Sequence, residues 1–447
     1  MPRRPRLNPA RPRAGRRRSW PRRLALGLAA AALLTHAGIA AAQETVRTGI
    51  TRYIDQKLNV SVDPFGGGAG REAANIVADD LRFSLYFNVI DADVSGTLVR
   101  GSGSVNYAGW SAFGTQYLVT GSVAGAVLRI TLHDVPGQRE MFSRDYPAVP
   151  IDDPKFRAYA HAAANDVIKQ LTGETGMALS KVAFASRRKH EKEIYVADYD
   201  GFNPYAVTHT DTINLTPAWS KAGEKICYTT FERGNPDLFC VSSGGGTSTP
   251  IATFRGLNIA PSWSPDGAKL LMTLTKDGNP EIYVMDVGAR KLTRLTYNLG
   301  IDTAPSWSPR GDVIAFESDR SGAPQIYLMD ASGANVRRVS FETEDNHSPA
   351  WSPKGDILAF VGKRGGGDFQ LFTIEAATGE NLTQLTLTGS NEDPTWSPDG
   401  LHLAFSSTRN GGVSNIYTMT WDGQDIRQIT RGGGYVTPDW SPAFTQP

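Results

Sequence analysis

The sequence predicts a two-domain chain: a small α/β N-terminal domain followed by a six-bladed all-β propeller closed by its own C-terminal strand. Three observations carry the propeller. Trp219, Trp263, Trp307, Trp351, Trp396 and Trp440 recur at intervals of 44, 44, 44, 45 and 44 positions, each with a proline two residues earlier. An aliphatic–aromatic pair recurs as Ile194-Tyr195, Leu238-Phe239, Ile282-Tyr283, Ile326-Tyr327, Leu371-Phe372 and Ile416-Tyr417. The two sets are out of phase: the first pair has no Pro-x-Trp before it, and Pro438-Asp439-Trp440 has no strands after it. A period of about 40–50 residues made of short strands is the signature of propeller blades. The offset assigns residues 438–444 as the inner strand of the blade begun at Lys181, which closes the ring and leaves no open sheet edge.

Residues 1–42 read as a secretory signal peptide. They hold ten arginines and no acidic residue, then an apolar run from Leu24 to Ile39, then Ala40-Ala41-Ala42. A basic start, an apolar middle and an A-x-A site place cleavage after Ala42. Arg17-Arg18 is a poor twin-arginine signal in its surroundings, Thr35 and His36 interrupt the apolar run, and no cysteine follows for lipid attachment. Export to the periplasm, with no direct membrane insertion, is the expectation. Without these ten arginines, 36 basic residues of the 46 remain against 45 acidic ones, a net charge near −9. An acidic surface disfavours nucleic acid and anionic membranes as partners.

Residues 43–175 lack the repeat and read as the α/β domain. Ala73, Ile76, Val77 and Leu81 fall on one face of a helix over 70–84, and residues 156–171 read as a second helix. Residues 87–90, 117–121 and 128–132 read as strands. Gly66-Gly67-Gly68-x-Gly70 precedes a helix but lacks the Lys-Ser/Thr of a phosphate loop, so it reads as a flexible loop. A linker near 172–180 leads into the propeller, assigned to residues 176–447.

One repeat, residues 258–301, shows how a blade is written. Ala260-Pro261-Ser262-Trp263 ends at Ser264-Pro265-Asp266-Gly267, where proline presets φ and glycine accepts a positive value. Residues 269–273, 282–286 and 290–296 supply three further strands, giving four antiparallel strands per blade. An aromatic at one register of every blade reads as a wedge between blades rather than a binding groove. The two cysteines, Cys227 and Cys240, face each other if their hairpin turns between Arg233 and Gly234. A disulfide and a pair of buried thiols both fit that placement.

Function is expected in the loops, since the repeats are spent on the scaffold. Three residues before each repeated proline stand Asn214, Asn258, Asp302, Asn346, Asn391 and Tyr435. These positions join an outer strand to the next inner strand, so they ring one mouth of the central channel. Asn and Asp bond their own backbone in such turns, while Leu257, Thr303, His347, Glu392 and Val436 vary as a partner-reading surface does. Asp302, Asp345, Glu392 and Asp393 form a negative mouth with the charge to hold a cation, yet His347 alone makes no ligand set. No Gly-x-Ser-x-Gly or His-Glu-x-x-His occurs, and neither a catalytic site nor a cofactor is expected. An enzyme cleft and a sugar-binding propeller remain alternatives to a protein-binding scaffold.

The chain resembles the TolB family, periplasmic propeller proteins of the Tol–Pal system. In the first domain the resemblance rests on residues 76–82 (Ile-Val-Ala-Asp-Asp-Leu-Arg), on Phe87-Asn88 and on Trp110-Ser111-Ala112-Phe113-Gly114. It continues in Tyr159-Ala160-His161 and Leu171-Thr172-Gly173, and in the propeller in the Pro-x-Trp-Ser-Pro-Asp-Gly and Ile-Tyr-Val-Met-Asp repeats. Prolyl oligopeptidase and tricorn propellers carry similar repeats, but they append a hydrolase domain and nothing here reads as one. The resemblance implies a monomeric, non-enzymatic adaptor whose propeller mouth grips the lipoprotein Pal and whose N-terminus engages TolA. It implies a role in outer-membrane invagination at cell division and in outer-membrane integrity. Matching offsets from Pro261 and Pro305 place Pal contacts at Leu257, Ala260 and Thr303, on a mouth shared with Asn258, Asp302, Asn346, His347 and Glu392. The TolA segment begins at Glu44-Thr45-Val46-Arg47, where Thr48-Gly49-Ile50-Thr51 departs from a more apolar family pattern.

Overall fold

The computed structural model describes residues 57–90, 105–188 and 191–447. Its described residues up to 172 build a five-stranded mixed sheet backed by helices. The elements are β1 (Leu58–Val62), α1 (Gly70–Phe83), β2 (Phe87–Ile90), α2 (Tyr107–Ala112), β3 (Tyr117–Ala124), β4 (Val127–Asp134), β5 (Arg139–Pro147) and α3 (Pro154–Thr172). The sheet order is β2-β1-β3-β4-β5, with β1 parallel to both neighbours and the last three strands antiparallel. Ala73, Ile76, Val77 and Leu81 of α1 are all buried, as their helical spacing requires, against Val60, Val119 and Ile130 of the sheet and Ala160 and Val167 of α3. The start and stop signals of α3 are explicit. Asp153 accepts the Lys155 N–H, Pro154 opens the first turn and Gly173 ends the helix at φ 78°.

The glycine segment before α1 is not the free loop its composition suggests. Gly66 pairs with β3, its oxygen accepting the Val123 N–H at 2.7 Å. A Cβ on Gly70 would stand 2.5 Å from the Phe65 oxygen, so close backbone approach is what the glycine serves. Strands β1 and β5 and helix α2 were not foreseen.

Six four-stranded antiparallel sheets follow. Their inner strands are Asn214–Trp219, Asn258–Trp263, Asp302–Trp307, Glu344–Trp351, Asn391–Trp396 and Tyr435–Trp440. The last of these pairs with Lys181–Arg188, so the C-terminal strand completes the first blade. Each inner strand packs against the next, and Tyr435–Trp440 touches both Asn391–Trp396 and Asn214–Trp219, so the ring is closed.

Each repeated tryptophan sits in an apolar cluster drawn from two blades. Trp307 lies among Leu271 and Ile282 on one side and Ile314 and Phe316 on the other, and Trp440 joins Val182 and Phe184 to Ala404 and Ile416. The wedge reading therefore holds, although Trp263 and Trp351 are only half-buried. The Ser-Pro-x-Gly turns link inner to second strands; in one, Gly311 takes φ 72° and donates to the Ser308 oxygen at 2.9 Å. Cys227 and Cys240 stand directly opposite across their hairpin and form a disulfide.

Candidate functional site

Five of the six loops that enter inner strands are built the same way. A Thr or Ser side chain accepts the backbone N–H at the start of the previous blade's third strand: Thr208 from Ile194, Thr296 from Ile282, Ser340 from Ile326, Thr386 from Leu371 and Thr430 from Ile416, all at 2.8–2.9 Å. A few residues on, an Asn turns inward. Asn258 donates to the oxygens of Phe254 at 2.7 Å and Pro236 at 3.1 Å, and its Oδ1 accepts the Phe254 N–H at 2.9 Å. Asn346 and Asn391 reach Thr343, Thr388 and Gly389 backbone oxygens and the Gln325 and Gln370 side chains in the same way. Asp302 replaces the amide with a charge and is clamped by Arg320 at 2.7 and 2.9 Å.

Asn258, Asp302 and Asn346 are thus fully buried, and this corrects their assignment as contact residues. Their polar atoms are spent on the loop and on the neighbouring blade, so they shape the mouth without presenting a surface. The sequence argument that such residues bond local backbone is the one the geometry follows.

Of the other mouth residues, Leu257 and Glu392 are exposed, and Ala260, Thr303 and His347 are half-buried. Glu392 accepts the Ser390 hydroxyl at 2.7 Å. His347 lies between Glu317 at 3.0 Å and Asp345 at 2.9 Å, with Lys363 also on Asp345 at 3.3 Å. Burial disfavours the charged ring, but the two carboxylates win and hold His347 above its ordinary pKa. Lys363 and the His347 ring thus lie among the carboxylates assigned to this mouth. Glu44, Thr45, Val46 and Arg47 lie outside the described residues.

Burial locates a feature that sequence reasoning missed. Tyr297, Leu299 and Ile301 in one entry loop, Phe341 in the next and Leu387 in the one after are exposed beside Leu257, with Leu299 and Leu387 at 101% and 83%. All stand on loops that enter inner strands, so topology puts them on one face of the ring. Scattered exposed apolar residues are ordinary, but a run of them along one rim marks an interaction surface. A signal was available: the residue after the repeated Thr or Ser is Phe254, Tyr297, Phe341 and Leu387 in four consecutive blades.

Below the rim, the inner strands share a backbone irregularity. Thr216, Ala260, Ala304, Ser348, Asp393 and Thr437, each just before the repeated proline, take φ between 47° and 55°. Each lies in a register shift of its inner strand, a bulge that adds twist where six strands converge. Two channel-wall carboxylates are perturbed. Asp439 is pushed up to about 7 by burial, and Asp393 to about 6 by burial with repulsion from Glu392. Protein surrounds both carboxylates, although the two residues keep some exposed surface.

The fold and this rim define a class: a closed propeller that presents an apolar-rimmed mouth, joined to an α/β domain. Residues 168–444 match the family described as the TolB beta propeller domain, and residues 46–141 match the TolB amino-terminal domain. The chain belongs to the TolB family. It is 37% identical over 182 residues to the Tol-Pal system protein TolB of Desulfosudis oleivorans, covering 38% of this chain and 40% of that one. It is 33% identical over 211 residues to the namesake from Methylobacillus flagellatus, covering 45% and 48%. The matched stretch is therefore under half the length of these curated relatives. The crystal structure of TolB from Acinetobacter baumannii superposes with a TM-score of 0.75 at 30% identity, over 87% of this chain and 97% of that one. A chain of the nidogen/laminin complex gives a TM-score of 0.50 at 13% identity, over 60% and 99%, a likeness of fold alone.

Proposed function

We propose that this chain is a non-enzymatic periplasmic adaptor of the Tol–Pal system. Its propeller mouth binds the peptidoglycan-associated lipoprotein Pal, and its N-terminal segment from Glu44 to Arg47 engages TolA. In this role it supports outer-membrane invagination during division and outer-membrane integrity. Residues 1–42 are its removed leader, 43–175 its N-terminal domain and 176–447 its propeller.

The observation that carries the reading is the exposed apolar run of Leu257, Tyr297, Leu299, Phe341 and Leu387 on a rigid scaffold. Large exposed aliphatic and aromatic side chains around a fixed concavity suit a folded protein partner, whose burial of that area drives association. Family membership and the relatives' printed name, Tol-Pal system protein TolB, supply the identity of the system. Among the described residues no helix is long and apolar enough to cross a membrane.

Calorimetric titration of the protein with the soluble domain of Pal, and separately with the soluble domain of TolA, tests the assignment. Saturable binding of both is expected. Failure to bind either one at micromolar concentrations overturns it.

A further inference from the structure

Residues 56–447 cluster as one unit, and a buried polar knot joins the α/β domain to the first blade. His161 on α3 is 2% exposed and Asp80 on α1 is 3%. The ring's Nδ1 donates to Asp80 Oδ2 at 2.8 Å. Tyr199, on the propeller, donates its hydroxyl to the other oxygen, Oδ1, at 2.5 Å. The opposite ring nitrogen, Nε2, has no hydrogen-bond partner but faces the carboxylate of the propeller's Asp200 at 3.7 Å. Arg157, one turn earlier on α3, grips Asp200 and stacks over the Phe202 ring at 3.7 Å.

A buried lone pair aimed at a carboxylate is repulsive, whereas an N–H at that position is attractive. The geometry is satisfied by a protonated ring, which turns both nitrogens into donors toward carboxylates from two domains. A metal ion is not needed to explain it. His161, Asp198 and Asp200 bring one atom each within 4.8 Å of the others, but Lys181 and Asn203 already hold Asp198, and Arg157 holds Asp200.

We propose that His161 is a proton-operated latch between the two domains, closed while the imidazolium bridges Asp80 and Asp200 and loosened when the ring gives up its proton. The charged groups around it are Asp80 from α1, Asp198 and Asp200 from the first blade, and Arg157 from its own helix. Lys181 neutralises Asp198, Glu72 faces Arg157 at 3.9 Å, and Arg427 from the last blade acts on Tyr199. Burial opposes charging the ring, but the carboxylates of Asp80 and Asp200 outweigh it, with Arg157 opposing weakly, and the ring's pKa is raised. Asp80 is raised by its own burial against the pull of His161, so the pair keeps a shared proton tightly. A cavity of about 290 Å³ lined by Glu72, Asp79, Asp80, Arg157, Asp200 and Arg427 lies against the knot and gives solvent-sized space beside the carboxylates.

Because the folded pKa is raised, the latch's contribution is complete below the unfolded histidine value and is lost as pH climbs through the folded one. Opening therefore belongs to the neutral-to-alkaline range. The two domains still share apolar contacts, including Phe83 of α1 stacked on the propeller's His402 at 3.9 Å, so opening raises a minor population rather than dissociating the domains.

Spin labels at Gln170→Cys on α3 and Gln424→Cys on the propeller report the inter-domain distance by pulsed electron resonance, since the native cysteines are tied in a disulfide. Between pH 6.5 and 9.5 the long-distance population should rise several-fold. In His161→Gln it should be the same at both pH values. Asp200→Asn, at a half-buried position, should move the midpoint to lower pH, because a carboxylate that favours the charged ring is gone. A pH-invariant distance in the parent, an unchanged pH response in His161→Gln, or an unmoved midpoint in Asp200→Asn would each overturn the proposal.

Discussion

The carboxylate of Asp439 accepts the backbone N–H of Trp219 at 2.7 Å across 220 positions of sequence. Its other oxygen accepts the Thr395 hydroxyl at 3.3 Å, and Thr395 accepts the Trp440 N–H at 3.2 Å. The last strand of the chain is thereby bolted to the inner strands on either side of it. Closure is a side-chain matter as well as a pairing of Tyr435–Trp440 with Lys181–Arg188.

This seam makes stability pH-dependent. Burial raises Asp439 from 3.8 to about 7, with hydrogen bonds from Trp219, Thr395 and Trp440 opposing the shift. A raised carboxylate contributes fully below its unfolded pKa and loses that contribution as pH rises through the folded one. Between pH 5 and pH 8 the protein should lose about 1–2 kcal/mol at this site, less than the full shift would give because the residue is partly exposed. Asp439→Asn should flatten that part of the stability curve, as read by denaturant unfolding at the two pH values. An equal slope in both proteins would contradict the assignment.

The left-handed residues of the inner strands carry a measurable cost. Ala304 sits at φ 48° directly before Pro305, where a Cβ is disfavoured by about 1–2 kcal/mol. Ala304→Gly should therefore stabilise by about 0.5–1 kcal/mol, against the usual loss for glycine in a strand. Ala304→Val, β-branched at a positive φ, should destabilise. Thermal unfolding of the two variants checks the opposite signs.

Asn258 and Leu257 are neighbours with different roles. Asn258→Ala strands the Phe254 N–H and oxygen, while the Pro236 oxygen keeps the backbone N–H of residue 258, and should cost about 2–3 kcal/mol. Leu257→Ala, on the surface, should stay within about 0.5 kcal/mol. Equal losses in the two variants would show that burial does not separate scaffold from contact surface here.

The tryptophan period and the offset strand motif made the propeller and its closure legible because the same local chemistry is written six times. In the first domain, helices α1 and α3 announced themselves by spacing and caps. Strand β5 did not, since Arg139, Glu140, Ser143, Arg144 and Asp145 give an edge strand little apolar pattern, and the five residues of β1 are too few to show one. The loops that enter the inner strands were legible as a set, but their buried and exposed members were not separated. Asn258 and Leu257 look equally available in a loop, and only the hydrogen bonds distinguish them. The contact of Asp80, His161 and Asp200 was out of reach because no local pattern relates residues on two helices and a blade.

The most direct test of the adaptor reading is the affinity for soluble Pal of the parent, of Leu299→Glu/Leu387→Glu on the apolar rim, and of Lys354→Glu on the turn at the far end of its inner strand. The account predicts a loss of about 30-fold or more for the rim variant and none for Lys354→Glu. Parent-like affinity in the rim variant, or an equal loss in both, would contradict it.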